Sequence, residues 1–131
     1  GIGARVRDAV HADKTYKGKL RQKPISRISA YDVFSAYNEK DPIAVAVIHK
    51  AIEMWGMGSA NLVSLLNPQK IIWGGGVFGP ACVFIEDIYQ EACKWAQPLS
   101  IRQVEFVSSQ LSGNAGLIGA AFLAIKNHLH E

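Results

Sequence analysis

Cysteine is scarce in this chain of 131 residues, which contains only Cys82 and Cys93. Both fall within one predicted helix, where eleven positions separate two residues by roughly 16 Å along the axis. A disulfide between them is excluded, because bridged cysteines have Cα atoms less than about 7 Å apart. Two unpaired thiols are typical of a reducing compartment, so we expect a cytoplasmic protein.

Long apolar runs are also missing. The apolar run at residues 115–125 is shorter than the roughly 18 residues that a membrane span needs. No basic segment followed by an apolar core marks a secretory signal. We therefore expect no membrane partner. With 49% hydrophobic and 19% charged residues, the composition is that of one folded globular domain.

Side chains that could carry catalysis are few and scattered. Glu86 and Asp87 lie on the polar face of a predicted helix, where a solvated surface explains them. Ser108 and Ser109 have no histidine nearby in the sequence. No histidine pairs with a cysteine at the spacing of a zinc site; the four are His11, His49, His128 and His130. We therefore assign no catalytic residue and no metal ligand within this chain.

Positive charge is concentrated at the start of the chain. Residues 1–27 contain eight basic and two acidic side chains, whereas residues 28–131 contain six basic and nine acidic ones. Five of the basic residues crowd one loop-like stretch: Lys14, Lys17, Lys19, Arg21 and Lys23. A solvated loop is the favoured interpretation and a nucleic-acid patch the alternative, because no recognised nucleic-acid motif accompanies the charge.

Apolar periodicity and capping residues predict helices and strands over most of the chain. The predicted helices cover Gly1–His11, Ala30–Tyr37, Pro42–Leu66, Pro80–Ala96 and Ala115–Leu129, and the predicted strands cover Lys70–Trp73 and Val104–Ser108. Because a helix connects the two strands, they should be parallel with a right-handed crossover. Small residues at 56–60 in the long helix indicate either a break or the close approach of another backbone.

The most informative local feature is the run of Gly74, Gly75 and Gly76 between the first strand and the next helix. Ligands bind at the carboxyl ends of strands in open α/β sheets, and glycine lets a ligand approach the backbone. These residues are therefore candidates for a nucleotide site. A tight turn that only changes the chain direction is an equal alternative. Neither a P-loop nor a complete dinucleotide fingerprint is present.

A second glycine cluster opens the last predicted helix. Gly113 and Asn114 precede this helix, and free amides at a helix N-terminus can hold an anion or a polar ligand edge. Ligand binding and a purely structural role both stay open for these two residues. Gly116 and Gly119 are expected instead to allow close packing of the helix.

Three motifs follow one another along the chain. Residues 61–68 read N-L-x-x-x-x-N-P, residues 71–77 read I-I-W-G-G-G-V, and residues 114–121 read N-A-G-L-I-G-A-A. Each motif is weak alone. Together, and with D-V-F and D-P-I-A segments upstream, they resemble the ROK family of bacterial sugar kinases and sugar-responsive repressors. The resemblance covers about residues 28–125 and extends toward Gly1.

The resemblance implies an α/β fold with short parallel strands flanked by helices, the C-terminal lobe of an actin-like ATPase of the ribonuclease H type. Residues 1–131 would form this lobe, and the N-terminal lobe would lie outside the chain. By position in the family motif, four residues border the adenosine of ATP: Gly74, Gly75, Gly76 and Val77. Gly113 and Asn114 join them as candidate nucleotide contacts. The family's catalytic aspartate, phosphate loops and zinc segment would all precede Gly1.

Three hypotheses for function follow from this resemblance. The first is the adenosine-binding part of a glucokinase-like hexose kinase, which uses ATP with Mg²⁺ and is inactive as this chain alone. The second is the sugar-sensing half of a repressor, which would contact nucleic acid only through an upstream helix-turn-helix. The third is a non-catalytic dimerisation module. We expect a homodimer, with Met54, Trp55 and Met57 as a candidate apolar surface.

Overall fold

The computed structural model describes residues 1–128 of the chain, and within them it contains six α-helices and two β-strands. The helices are α1 (Ile2–Ala12), α2 (Ala30–Asn38), α3 (Pro42–Leu66), α4 (Ile85–Cys93), α5 (Pro98–Ile101) and α6 (Ala115–His128), and the strands are β1 (Lys70–Trp73) and β2 (Glu105–Ser108). The predicted α/β class is thus confirmed. Two residues named in the predictions, Leu129 and His130, lie outside the described residues.

The longest helix, α3, forms where its sequence places the start and stop signals. The Asp41 carboxylate accepts a hydrogen bond from the Ile43 amide at 3.0 Å, and Pro42 occupies the first turn, where no amide is required. The helix ends at Asn67, whose backbone is left-handed with φ 42°. Because α3 runs unbroken through residues 56–60, the predicted alternative of a break is excluded.

The basic stretch before α2 begins with a buried polar contact. The Tyr16 hydroxyl donates to the buried Asp41 carboxylate at 2.5 Å and accepts a hydrogen bond from the Leu20 amide at 3.2 Å. Burial, with the bond to Asp41, raises the pKa of Tyr16 to about 12. A Cβ at Gly18 would overlap both the Tyr16 ring and the Asp41 carboxylate, so glycine is required there. The stretch is therefore anchored to the start of α3.

Three of the five basic side chains in this stretch are also held by other elements. Arg21 donates to the backbone carbonyls of Val10 and Asp13, each at 2.6 Å. Lys19 pairs with a carboxylate at the end of α2, and Lys23 pairs with one in its first turn. The five basic side chains are exposed, as the solvated-loop interpretation expected, but Tyr16 and Leu20 between them are buried, and three of the five charges attach the stretch to α1 and α2.

The two strands are parallel, as predicted, and pair in register from Lys70 with Glu105 to Trp73 with Ser108. The prediction of one continuous helix between them is wrong at both ends. Residues 80–84 form a 3-10 turn, and α4 ends at Cys93. Tertiary packing explains the first difference, because this turn places Phe84 in the core.

Aromatic contacts hold the 3-10 turn against α2. The Phe84 ring centroid lies 5.1 Å from that of Tyr37 and 6.2 Å from that of Phe34. Cys82 consequently sits in the 3-10 turn and not in the same helix as Cys93, and both thiols are free. The apolar periodicity that predicted one long helix could not reveal this contact, because its partners lie some fifty residues upstream.

The core lies around α3 and has two parts. The larger part joins α1, α2, α3 and the segment between the two strands that contains the 3-10 turn and α4. Its fully buried side chains include Val6, Val33, Ile48 and Ile88. The smaller part lies between the end of α3, the end of α4 and the approach to β2, and contains Val63, Ala92, Ile101 and Val104. The helix α3 therefore connects both parts of the core.

The helices α3 and α4 approach one another at Gly56, as the small residues predicted. A Cβ placed on Gly56 would lie 2.6 Å from Cγ of Glu91 and 3.0 Å from the backbone nitrogen of Ala92. Two residues further, about half a helical turn away, a Cβ on Gly58 would meet no atom within 4 Å. Only the first glycine of the pair is therefore required by packing.

The helix α6 is exposed over most of its length. Every residue from Gly116 to Lys126 is exposed, and a Cβ on Gly116 or on Gly119 would meet no atom within 4 Å. The expected packing role of these two glycines is therefore not found among the described residues, because α6 is not seated against the two-part core. Among the same residues, no helix has the length and apolar character needed to cross a membrane.

The two glycines of α3 provide a matched test of the helix contact. We expect Gly58→Ala to raise the free energy of unfolding by about 0.5–1 kcal/mol, because alanine is the better helix former. Gly56→Ala should lower it by about 1 kcal/mol or more, because the added methyl overlaps α4. Urea denaturation of the two variants measures both values. Equal effects would contradict the close approach.

Candidate functional site

The glycine turn after β1 has two positions that favour glycine. Gly75 has φ +87° and ψ 177°, a conformation that residues with a side chain rarely adopt. A Cβ on Gly74 would lie 3.0 Å from Cβ of Ser109, which follows β2. Gly76 has neither constraint: its φ is not positive, and a Cβ there would meet no atom within 4 Å. Chain geometry therefore explains Gly74 and Gly75 but not Gly76.

The end of β2 lies directly beside the glycine turn. The Ser109 amide donates to the Trp73 carbonyl at 2.7 Å, which extends the strand pairing by one hydrogen bond. The Ser109 hydroxyl accepts a hydrogen bond from the Leu111 amide at 3.2 Å and so turns the chain toward α6. This turn brings Gly113 to the same edge of the sheet as the three glycines. Both predicted glycine clusters therefore meet.

Between these segments lies a cavity of about 330 Å³, here called the strand-end cavity. The glycine turn lines one side, Ser108, Ser109 and Gly113 line another, and Tyr31 contributes from the first turn of α2. Its volume is at the lower end of the range of small-molecule pockets, roughly 300–1,000 Å³. Its position at the carboxyl ends of parallel strands is the usual place for ligands in α/β sheets.

Aromatic side chains form the apolar part of the cavity wall. Trp73 and Phe78 both line it, and their ring centroids are 4.7 Å apart. Behind them, the Trp55 ring of α3 lies 4.9 Å from Phe78. The indole nitrogen of Trp73 is buried and has no acceptor within residues 1–128. A buried donor without a partner is costly and is uncommon in folded proteins.

Two predicted site residues lie away from this cavity. Val77 faces a second groove of about 630 Å³ on the other side of the glycine turn, together with Ile2 and Met54. Asn114 is exposed and does not line the cavity, and its amide donates to the Leu111 carbonyl at 3.0 Å. The second groove is larger, but Arg5 is the one charged side chain among its described lining residues, so it offers little to orient a polar ligand.

The strand-end cavity offers groups for binding but not for acid-base chemistry. No histidine, carboxylate or lysine is found among its described lining residues. Across residues 1–128, no three side chains of the metal-binding types His, Cys, Asp and Glu come together. The carboxylates Glu86 and Asp87, which the sequence analysis assigned to a solvated helix face, lie in the first turn of α4 and do not line the cavity. What the cavity presents is backbone, two serines, Cys82 and aromatic surface.

Sequence reasoning missed Tyr31 and Trp73 as members of the site. Tyr31 comes from α2, more than forty residues before the glycine turn, and no local pattern distinguishes it from a surface tyrosine. Trp73 was identified as the last residue of a buried strand. It does end β1, but the prediction of burial is wrong: the residues of this strand alternate between exposed and half-buried, and Ile72 is 64% exposed. The two serines were considered as nucleophiles, whereas the structure places them in a cavity wall.

A family model described as "ROK family" matches residues 8–127, which include both strands and all the residues that line the strand-end cavity. The chain belongs to the ROK family. The resemblance inferred from the three motifs is therefore confirmed. The matched range covers nearly the whole of this ROK chain, including the basic stretch before α2 that carries none of the three motifs.

Relatives of this ROK chain include kinases and a regulator. A glucokinase of Halalkalibacterium halodurans is 35% identical over 96 residues, which cover 73% of this chain and 29% of that protein. The structure of a ROK family glucokinase from Streptomyces griseus in complex with glucose and AMPPNP matches with a TM-score of 0.76 and 25% identity, covering 93% of this chain and 40% of that one. The expected actin-like ATPase fold is thus confirmed.

The regulator is a ROK family transcriptional regulator, a homologue of the E. coli MLC protein. Its structure matches with a TM-score of 0.68 and 25% identity, covering 82% of this chain and 26% of that one. The ROK chain therefore spans less than a third of the length of the H. halodurans glucokinase and of this regulator. Its fold is shared by sugar kinases and regulators alike.

The glycine turn yields a prediction about stability. Gly75→Ala should lower the free energy of unfolding by about 1–3 kcal/mol, because the backbone there is close to a glycine-only conformation. Gly76→Ala should change it by less than about 1 kcal/mol, because neither its backbone nor its surroundings oppose a methyl group. Denaturant unfolding of both variants provides the comparison. A larger loss for Gly76→Ala would contradict the described turn.

Proposed function

We propose that this chain is the C-terminal lobe of a two-lobe, ATP-dependent hexose kinase and that its strand-end cavity holds the adenosine part of ATP. One observation carries the proposal: two glycine-bearing turns meet at the carboxyl ends of two parallel strands and enclose the cavity. The similarity to glucokinases, one of them solved with glucose and AMPPNP, supports the same assignment. In this proposal the glycines serve the ligand as well as the turn.

The chemistry of the cavity suits a nucleoside. A purine base and a ribose present flat apolar faces and hydrogen-bonding edges, and the cavity presents aromatic surface, serine hydroxyls and exposed backbone. Gly76 and Gly113 both leave open space where a side chain would otherwise lie. These groups bind and orient a ligand without reacting with it.

The remaining parts of the reaction would come from the rest of the complete protein. Phosphoryl transfer to a sugar hydroxyl requires a general base and groups that hold the phosphates with Mg²⁺. The described cavity residues include no carboxylate or cation for either task. Any zinc segment would also lie outside this chain, and the sugar would bind mainly there. We also propose the cytoplasm as its location.

A sugar-sensing half of a repressor is the second candidate, and the match to the ROK family transcriptional regulator favours it. Both candidates share the fold, so nucleotide binding separates them: a kinase needs the strand-end cavity to hold ATP, whereas a sugar sensor needs no nucleotide.

A dimerisation module is the third candidate. Met54 and Met57 of α3 are partly exposed and could join two copies, whereas Trp55 packs on Phe78 and Trp73.

Nucleotide binding is the direct test of the proposal. We expect the complete protein to bind ATP in isothermal titration calorimetry, and Gly76→Val to raise the dissociation constant at least about ten-fold. The reason is that Gly76 lines the strand-end cavity as well as the second groove, so an added side chain reduces the open space at the cavity wall, while the backbone needs no glycine. Gly58→Ala, in an open position on α3, is the matched control. Unchanged ATP affinity for Gly76→Val would reject the adenosine assignment.

Catalysis by the isolated chain provides a second test. The purified 131-residue chain, assayed with ATP, Mg²⁺ and a panel of hexoses, should give no phosphorylation above background, because its described cavity lacks a catalytic base. The complete protein in the same assay is the positive control. Sugar phosphate formed by the chain alone would overturn the two-lobe proposal.

A further inference from the structure

Tyr31 is an exposed aromatic residue in the wall of the strand-end cavity. It is the second residue of α2, and 68% of its surface is exposed. The neighbouring aromatic residues of the same helix, Phe34 and Tyr37, point into the core and pack on Phe84. No aromatic ring of residues 1–128 pairs with Tyr31, although it shares a cavity with Trp73 and the glycine turn. Its ring is therefore free to contact a ligand bound in the cavity.

The backbone of Tyr31 is fixed although its ring is open. Ser29 and Asp32, on either side, form a capping box in which the Asp32 carboxylate accepts from the Ser29 amide at 2.9 Å and the Ser29 hydroxyl at 2.8 Å. Lys23 also donates to Asp32 at 2.5 Å. The bond from Lys23, followed by those from Ser29, lowers the pKa of Asp32 to about 2, so the carboxylate stays charged at neutral pH. Tyr31 thus extends from a stiff helix start.

We propose that Tyr31 stacks on the purine base of the bound nucleotide. The inference rests on the proposed function and deepens it, because it identifies the residue that recognises the base. The glycine turn presents almost no side-chain surface, so it leaves room for a ligand but gives a flat ring little to pack against. Tyr31 adds an exposed flat surface from a different element, beside the half-buried rings of Trp73 and Phe78. Rings prefer such offset stacked contacts, and an aromatic side chain has only two rotatable bonds to fix on binding.

Stacking and hydrogen bonding by Tyr31 predict different behaviour of two variants. If the ring face is what matters, Tyr31→Phe should bind adenosine and ATP within about two-fold of the parent. Tyr31→Ala should raise both dissociation constants by about ten-fold, the size expected for the loss of one base-stacking residue. Because the ring contacts the base and not the phosphates, the two ligands should weaken by the same factor.

The experiment is isothermal titration calorimetry of the complete protein with adenosine and with ATP, with unfolding measured in parallel. Leu99→Ala is the matched control, since Leu99 is also 68% exposed but lies on α5, outside the cavity. Alanine is a strong helix former, so Tyr31→Ala should keep α2 intact. We expect the control and the phenylalanine variant to bind as the parent does.

Each other outcome overturns a specific statement. If Gly76→Val weakens nucleotide binding while Tyr31→Ala does not, the stacking role is overturned and the proposed function stands. If Tyr31→Phe weakens binding as much as Tyr31→Ala, the hydroxyl is the contact and stacking is overturned. If the parent protein binds neither adenosine nor ATP, the proposed function fails and this inference fails with it.

Discussion

The close contact between α3 and α4 at Gly56 is the constraint on which the rest of the structure depends. The helix α3 carries both parts of the core, and α4 is the crossover that joins the two strands. A Cβ at Gly56 would overlap α4, so the absence of a side chain sets the distance between the two helices. The position of α4 determines how β1 and β2 pair. The ends of the two paired strands, in turn, determine where a ligand can enter.

The strand-end cavity follows from that pairing. With Trp73 opposite Ser108, both strands end at the same level, and the Ser109 amide bonds the Trp73 carbonyl. Gly74 permits this approach because a Cβ there would press on Ser109. The sheet and the glycine turn supply backbone, two serines and the rings of Trp73 and Phe78. A further aromatic ring, Tyr31, comes from α2, so the shape of the cavity also depends on where α2 lies relative to the sheet.

Local signals predicted most of the fold, and long-range contacts account for what they missed. The caps at Ser29 and Asp41, the stop at Asn67 and the glycine turn were all readable from neighbouring residues. The 3-10 turn before α4 depends on the distant aromatic partners of Phe84, which no local period encodes. The same reason hid Tyr31 from prediction, and the sequence did not reveal that Val77 lines the second groove, since side-chain direction is set by the turn as a whole.

The exposed apolar surface of α6 bears on the proposed two-lobe arrangement. Leu117, Phe122 and Ile125 are 73%, 65% and 61% exposed, although a helix that is apolar all round is ordinarily buried. The helix starts two residues after Gly113, so a surface that covered its first turn would lie beside the strand-end cavity. In the proposed two-lobe kinase, such a contact would bring the other lobe next to the proposed nucleotide site. The covering surface and the phosphate-handling groups would then come from the same part of the protein, which would reconcile a cavity without a catalytic base with the proposed kinase.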